Sequence, residues 1–157
     1  MPDMSVHVDD ADARRELNII SAGLADLTGF WPMLVPLWLS WMRRQFETEG
    51  AFGGQPWPPL SPAYAVWKAS RRPGKPVLQL TGAMKQAVSR PHRSQTPQSL
   101  TLTIDDKKLG YHQDGTTRMP ARPVIFGDPL PPVAAMELER AADEYVTDLI
   151  RRARGGR

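Results

Sequence analysis

The sequence predicts an α+β domain in which N-terminal helices come first, a small antiparallel β-sheet follows, and a long C-terminal helix closes the chain. Three observations predict it. Apolar residues recur at helical spacing from Leu17 to Phe46 and again from Val133. Leucines and an isoleucine alternate with threonines near residue 100. No internal repeat or composition shift marks a second domain. A chain of 157 residues fits one domain, 1–157, and can bury a core without disulfide or metal staples.

Asp9, Asp10 and Asp12 put negative charge ahead of Leu17, Ile20, Leu24 and Leu27, so an amphipathic helix with a favourable N-terminus is predicted, stopping near Thr28-Gly29. Next, Leu34, Trp38, Trp41 or Met42, and Gln45 or Phe46 keep helical spacing, which predicts helix over about residues 33–48. Pro32 suits a first turn; Pro36 costs interior hydrogen bonding unless the helix begins late or kinks. Residues 51–62 are too dense in glycine and proline for regular structure. Trp57 and Leu60 are expected to anchor this loop, either on a partner or on its own core, and the core is favoured for Trp57. Ser61 is read as the cap of a short helix with Pro62 at its first position, ended by Arg72-Pro73-Gly74. Leu78, Leu80, Met84 and Val88 suggest a further helix beginning at Thr81.

Residues 90–98 are polar, contain Pro91 and Pro97, and read as a loop. Leu100, Leu102 and Ile104 alternate with Thr101 and Thr103, the pattern of a half-buried strand. Asp105-Asp106 is read as a turn, with residues 107–111 returning as the partner strand of a hairpin over about 99–111. Val124-Ile125-Phe126 is a candidate edge strand. The final helix is expected to place Val133, Met136, Ala141, Tyr145 and Leu149 near one face and to run to about Ala153.

The absence of cysteine excludes disulfides and thiolate metal sites. Residues 1–12 are acidic and lack a secretory pattern, so the protein is expected in the cytoplasm. Residues 30–42, the most apolar run, are too short to span a bilayer, and no membrane contact is expected. The formal charge is +3, but Arg151, Arg152, Arg154 and Arg157 supply +4 of it, so the body is near −1. Residues 151–157 are read as a flexible basic tail that complements a helix dipole. The alternative is a small DNA-binding accessory protein that uses these arginines on phosphates.

His7, His92 and His112 form no metal-ligand spacing, and no cofactor motif is present. His112 could serve as a general base, yet no nucleophile in a recognisable setting is near it in sequence, and a hydrogen bond at a strand end is the preferred role. Turn aspartates 105 and 106 are expected to satisfy local backbone donors, and the acids of the last helix to form a solvated face. No catalytic residue is assigned.

The most informative stretch is Tyr111-His112-Gln113-Asp114-Gly115 followed by Met119-Pro120-Ala121-Arg122-Pro123. By itself it reads as a strand ending at Tyr111, a turn at Asp114-Gly115 and a stiff proline-bounded segment. Upstream stand Phe46-x-x-Glu49-Gly50, Gly54-x-Pro56-Trp57-x-Pro59-Leu60-Ser61-Pro62 and Leu78-x-Leu80-Thr81-Gly82-x-Met84. In this order the motifs resemble the bacteriophage virion-morphogenesis, or tail-completion, family of Mu-like and related phages, over roughly residues 30–150. The resemblance implies a non-enzymatic protein that completes the tail or joins it to the head at the neck, without a cofactor. Implied partners are tail-tube, tail-terminator or head-tail connector proteins, and a homo-oligomeric ring is implied by the symmetry of the tube. The implied location is the host cytoplasm during assembly and then the virion neck. Candidate interaction residues are Trp57, Tyr111, His112, Gln113, Gly115, Pro120, Arg122 and Pro123. Two roles stay open for Arg122. It either reaches a neighbouring subunit's carboxylates from a stiff arm, or forms an ion pair with the last helix of its own chain.

Overall fold

The computed structural model describes residues 10–155; Asp9 and the residues before it, His7 among them, and Arg157 lie outside the described residues. Helix α1 (Ala11–Ala25) is followed by a 3-10 turn (Leu27–Gly29), whose Thr28 N–H and hydroxyl both donate to the Asp26 carboxylate, at 3.0 and 2.7 Å. Helix α2 (Trp31–Glu47) begins two residues earlier than the apolar spacing predicts and runs through Pro36, which is exposed. Helix α3 (Pro62–Arg71) starts and stops where the proline and glycine signals place it, although Ser61 makes no side-chain cap bond. Helix α4 (Ala83–Val88) starts later than Thr81, because Gly82 at φ 79° takes the N-cap position and leaves Leu78 and Leu80 outside the helix.

The sheet has two strands, β1 (His92–Gln95) and β2 (Leu100–Thr103), paired antiparallel with His92 opposite Thr103 and Gln95 opposite Leu100. The hairpin therefore lies upstream of the predicted one. Residues 90–98 supply a strand rather than a loop, and residues 107–111 belong to helix α5 (Lys107–Asp114). The reason is local. Asp106 takes the N-cap position and its carboxylate accepts from Lys108 N–H at 2.7 Å, so the chain enters a helix where a turn was expected. Thr96 and Ser99 close the hairpin through their backbones and hydroxyls. Trp31 Nε1 donates to Thr96 O at 2.8 Å, seating the hairpin loop on the start of α2. Residues 124–126 form no strand; side chains hold them, as described below.

Helix α6 (Pro132–Gly155) closes the fold. Its buried stripe is Ala134, Ala141, Tyr145, Leu149 and Ala153, whereas Val133 and Met136 are exposed, since they fall off the four-residue row that Leu138 continues. The C-terminal arginines also differ from expectation. The chain stays helical to Gly155, Arg151 and Arg152 pair with Asp148, and Arg154 pairs with Glu16 of α1.

The core has two lobes. Phe30 and Trp31 pack with Ala141, Tyr145 and Leu149; Trp41, Met42 and Phe46 pack with Trp57, Met84, Val88, Val124 and Ala134. Leu37 and Leu138 touch both lobes and join them. Helix α1 approaches α6 closely at Gly23, where an added Cβ would sit 2.5 Å from the Leu149 side chain, and Tyr145 donates its hydroxyl to Gly23 O at 3.0 Å. Between α2 and α6, Glu137 accepts from Trp41 Nε1 at 2.7 Å and pairs with Arg44, so one acid of the supposedly solvated face is a cross-helix link. No helix among the described residues is long and apolar enough to cross a membrane.

Candidate functional site

The proline-rich loop after α2 and residues 121–126 meet at one place, and polar side chains hold them there. Gln113, near the end of α5, accepts from the backbone N–H groups of Val124 and Ile125, both at 3.0 Å, and donates to Ile125 O at 2.6 Å. A single amide thus satisfies three backbone groups of a segment that has no strand partner. The carbonyl of Pro123 accepts from Trp57 Nε1 at 2.7 Å and from Gln45 Nε2 at 3.0 Å. Gln45 turns its own oxygen to Gly53 N–H at 2.8 Å, so α2, the proline-rich loop and residues 121–126 are tied through two buried side chains.

Among the described residues Arg122 forms no ion pair with the last helix of its own chain; it turns to the proline-rich loop instead. It is 4 % exposed and donates from Nε to Pro58 O and from Nη2 to Pro59 O, both at 2.8 Å. Burial pushes its pKa down from the ordinary guanidinium value, yet a guanidinium remains charged in a protein. Its backbone N–H donates to His112 O at 2.6 Å, which fixes the segment to the end of α5. The stiff arm of the sequence reading is therefore folded inward, because two consecutive prolines leave their carbonyls free to accept.

Gly115 ends α5 at φ 75° and ψ 180°, a conformation closed to other residues, and a Cβ there would lie 2.7 Å from Ala121 N. Thr116 and Met119 then pair across a tight turn that leads to Pro120. Tyr111 sits on α5 rather than at a strand end, 61 % exposed.

Beside this network lies a cavity of about 570 Å³. One wall is apolar, built from Leu60, Tyr64, Leu78, Leu80 and Met84. Leu78 holds φ 60°, an uncommon conformation for a residue with a side chain. The rest of the lining carries Lys68, one helical turn after Tyr64 on α3, together with Lys108, Arg118 and Arg122, and Asp106 is the one carboxylate among the lining residues. His112 also faces the cavity, and its Nδ1 is buried without a hydrogen-bond partner. Burial lowers the His112 pKa below the usual imidazole value; Arg122 and Lys108 lower it further, against the opposing pull of Asp106. Lys68 is buried on α3 and donates to Pro76 O; burial pushes its pKa down while Glu49 pushes it back up.

The structure brings His112, Pro120 and Arg122 to the cavity and puts Trp57, Gln113 and Pro123 in the hydrogen-bonded network behind it. Lys68, Lys108 and Arg118 were not singled out in the sequence. Only Lys68 carried a signal there, standing one helical turn after Tyr64 on α3. Among the described residues no group of three His, Asp or Glu side chains comes together to hold a metal ion. No family model, no curated protein and no solved structure matches this chain.

Proposed function

We propose that this chain is a bacteriophage virion-assembly protein that acts in tail completion or head-tail joining through protein-protein contacts. The observation that carries the reading is the amount of apolar surface left uncovered on two helices. None of the residues of α1 is buried, and Leu17, Ile19 and Leu24 are 64, 39 and 48 % exposed. On α3, Val66 is 73 % and Trp67 43 % exposed, with Tyr64 stacked on Trp67 at 5.3 Å. Leu17 and Leu24 lie two turns apart on one side of α1, as Tyr64 and Trp67 lie one turn apart on α3, and exposed apolar side chains paired in this way fit surfaces that a partner covers. The motifs of the family resemblance add support, since residues from four of them hold one network and line one cavity.

In this reading the partners are tail-tube, terminator or connector proteins, and copies of the chain form a ring at the neck during assembly in the host. The test is electron microscopy of particles made after the gene is deleted from its parent phage or prophage. DNA-filled heads beside unjoined tails are expected; intact, infectious particles would refute the proposal.

A further inference from the structure

The geometry points to a binding site that extends the assembly reading. We propose that the cavity beside His112 receives the C-terminal end of a partner polypeptide, its terminal carboxylate among the cationic side chains of the lining and its last apolar side chain among the leucines.

The charge of the site argues for an anion. Among the described residues none of Lys68, Lys108, Arg118 and Arg122 forms an ion pair, whereas Arg44 and the arginines at the end of α6 have found acids. The cavity's one carboxylate, Asp106, already accepts the Lys108 N–H as the cap of α5. Arg122 spends Nε and Nη2 on the carbonyls of Pro58 and Pro59, and its Nη1 makes no hydrogen bond among the described residues. A bound carboxylate would satisfy these groups with charge-assisted hydrogen bonds.

The apolar part of the lining argues for an apolar body on that anion. Leu60, Leu78, Leu80 and Met84 offer nothing to inorganic phosphate, while about 570 Å³ lies within the size range of small-ligand pockets and accepts one large side chain. Continuity of surface argues for a chain rather than a free small acid. Tyr64 lines the cavity and stacks on the exposed Trp67, with interplanar angle 24°, so the apolar wall continues outward onto α3. Residues preceding the terminus would lie along that face.

The test is titration of the full chain, followed by NMR and calorimetry, with four probes: acetyl-Gly-Gly-Leu-Phe as the free acid, the same peptide as its C-terminal amide, phenylacetate, and inorganic phosphate. The free-acid peptide is expected to bind, to shift resonances of His112 and Arg118, and to raise the His112 pKa, since it adds negative charge beside a ring that now meets Arg122 and Lys108 against Asp106, in a cavity that Lys68 and Arg118 also line. Lys108→Ala combined with Arg118→Ala is expected to weaken it by at least about tenfold, since one charged contact alone is worth that much and two charges are removed; both residues are exposed and outside the network that holds the segments. Equal binding of the acid and the amide would overturn the proposal, as would the absence of binding at millimolar peptide. Phenylacetate binding as tightly as the peptide would make the ligand a free acid, and phosphate binding in preference to the peptide would make the site one for mineral anions; either result overturns it. Normal particles from the deletion strain with peptide binding intact would remove the assembly reading and leave the site standing. Unjoined particles without peptide binding would remove only the site.

Discussion

Replacing Gln113 by alanine tests whether one amide holds residues 124–126 in place. The substitution removes two bonds to the N–H groups of Val124 and Ile125 at 3.0 Å and one to Ile125 O at 2.6 Å. Val124 is fully buried, so water cannot readily replace its lost partner. A net hydrogen bond contributes about 1 kcal/mol, and a buried backbone group left unpaired costs about 1–3 kcal/mol. With Val124 buried and Ile125 half-buried, Gln113→Ala should destabilise the fold by about 2–4 kcal/mol. For a chain of this size that lowers Tm by roughly 5–15 °C. Urea unfolding followed by tryptophan fluorescence measures the loss, and amide hydrogen exchange locates it at residues 124 and 125. A loss under about 1 kcal/mol with unchanged protection at those two amides would refute the reasoning. Trp57 and Gln45, acting at Pro123 O, would then suffice to hold the segment.

Arg122→Ala should cost about 1.5–3 kcal/mol in thermal unfolding, because it deletes charged donors to Pro58 O and Pro59 O; unchanged stability would show those carbonyls to be satisfied without it. Gly115→Val should misfold the turn or lower stability by at least about 2 kcal/mol, given φ 75° and the close approach of Ala121 N; a normal melting curve would reject this. Glu137 accepts from Arg44, which holds its pKa below the ordinary carboxylate value, with Trp41 and Arg140 adding to the effect against partial desolvation. A depressed pKa means that the stabilisation is full above the unfolded-state value and fades as pH falls through the folded one. Glu137→Gln should therefore be about 1 kcal/mol less stable than wild type at neutral pH, with the gap closing in acid; a gap that is constant with pH would show that the charge contributes nothing.

The helices were legible where burial is regular. In α2 the recurrence of Trp41 or Met42 and Phe46 is the side that packs, and in α3 proline and glycine mark both ends. β1 was not legible because all its residues are exposed and carry no alternation of apolar and polar types, so nothing distinguished His92-Arg93-Ser94-Gln95 from a loop. β2 kept its alternation and was legible. α5 is eight residues with a glycine inside and no buried residue; its one clear signal was the capping aspartate, and an aspartate before a lysine also suits a turn. At the site, Trp57, Gln113 and Arg122 stood out in the sequence, but their partners did not. Arg122 bonds to carbonyls 64 and 63 residues earlier in the chain, and every residue offers such a carbonyl. The cationic lining was hidden for a different reason. Lys68, Lys108 and Arg118 are ordinary charges far apart in sequence, and only the fold makes them neighbours.

The residues around this cavity therefore fall into two groups with different consequences. Gln45, Trp57, Gln113 and Arg122 bond to backbone, and changing any of them disturbs the irregular segments before it disturbs a ligand. Lys108 and Arg118 are exposed at the same cavity and, among the described residues, bond to no other segment through their side chains, so changing them alters the charge a ligand meets while the network remains. Loss of assembly in an Arg122 variant would accordingly say little about binding unless stability had been measured beside it. Loss of assembly in a stably folded Lys108→Ala, Arg118→Ala variant would require that the cavity itself takes part.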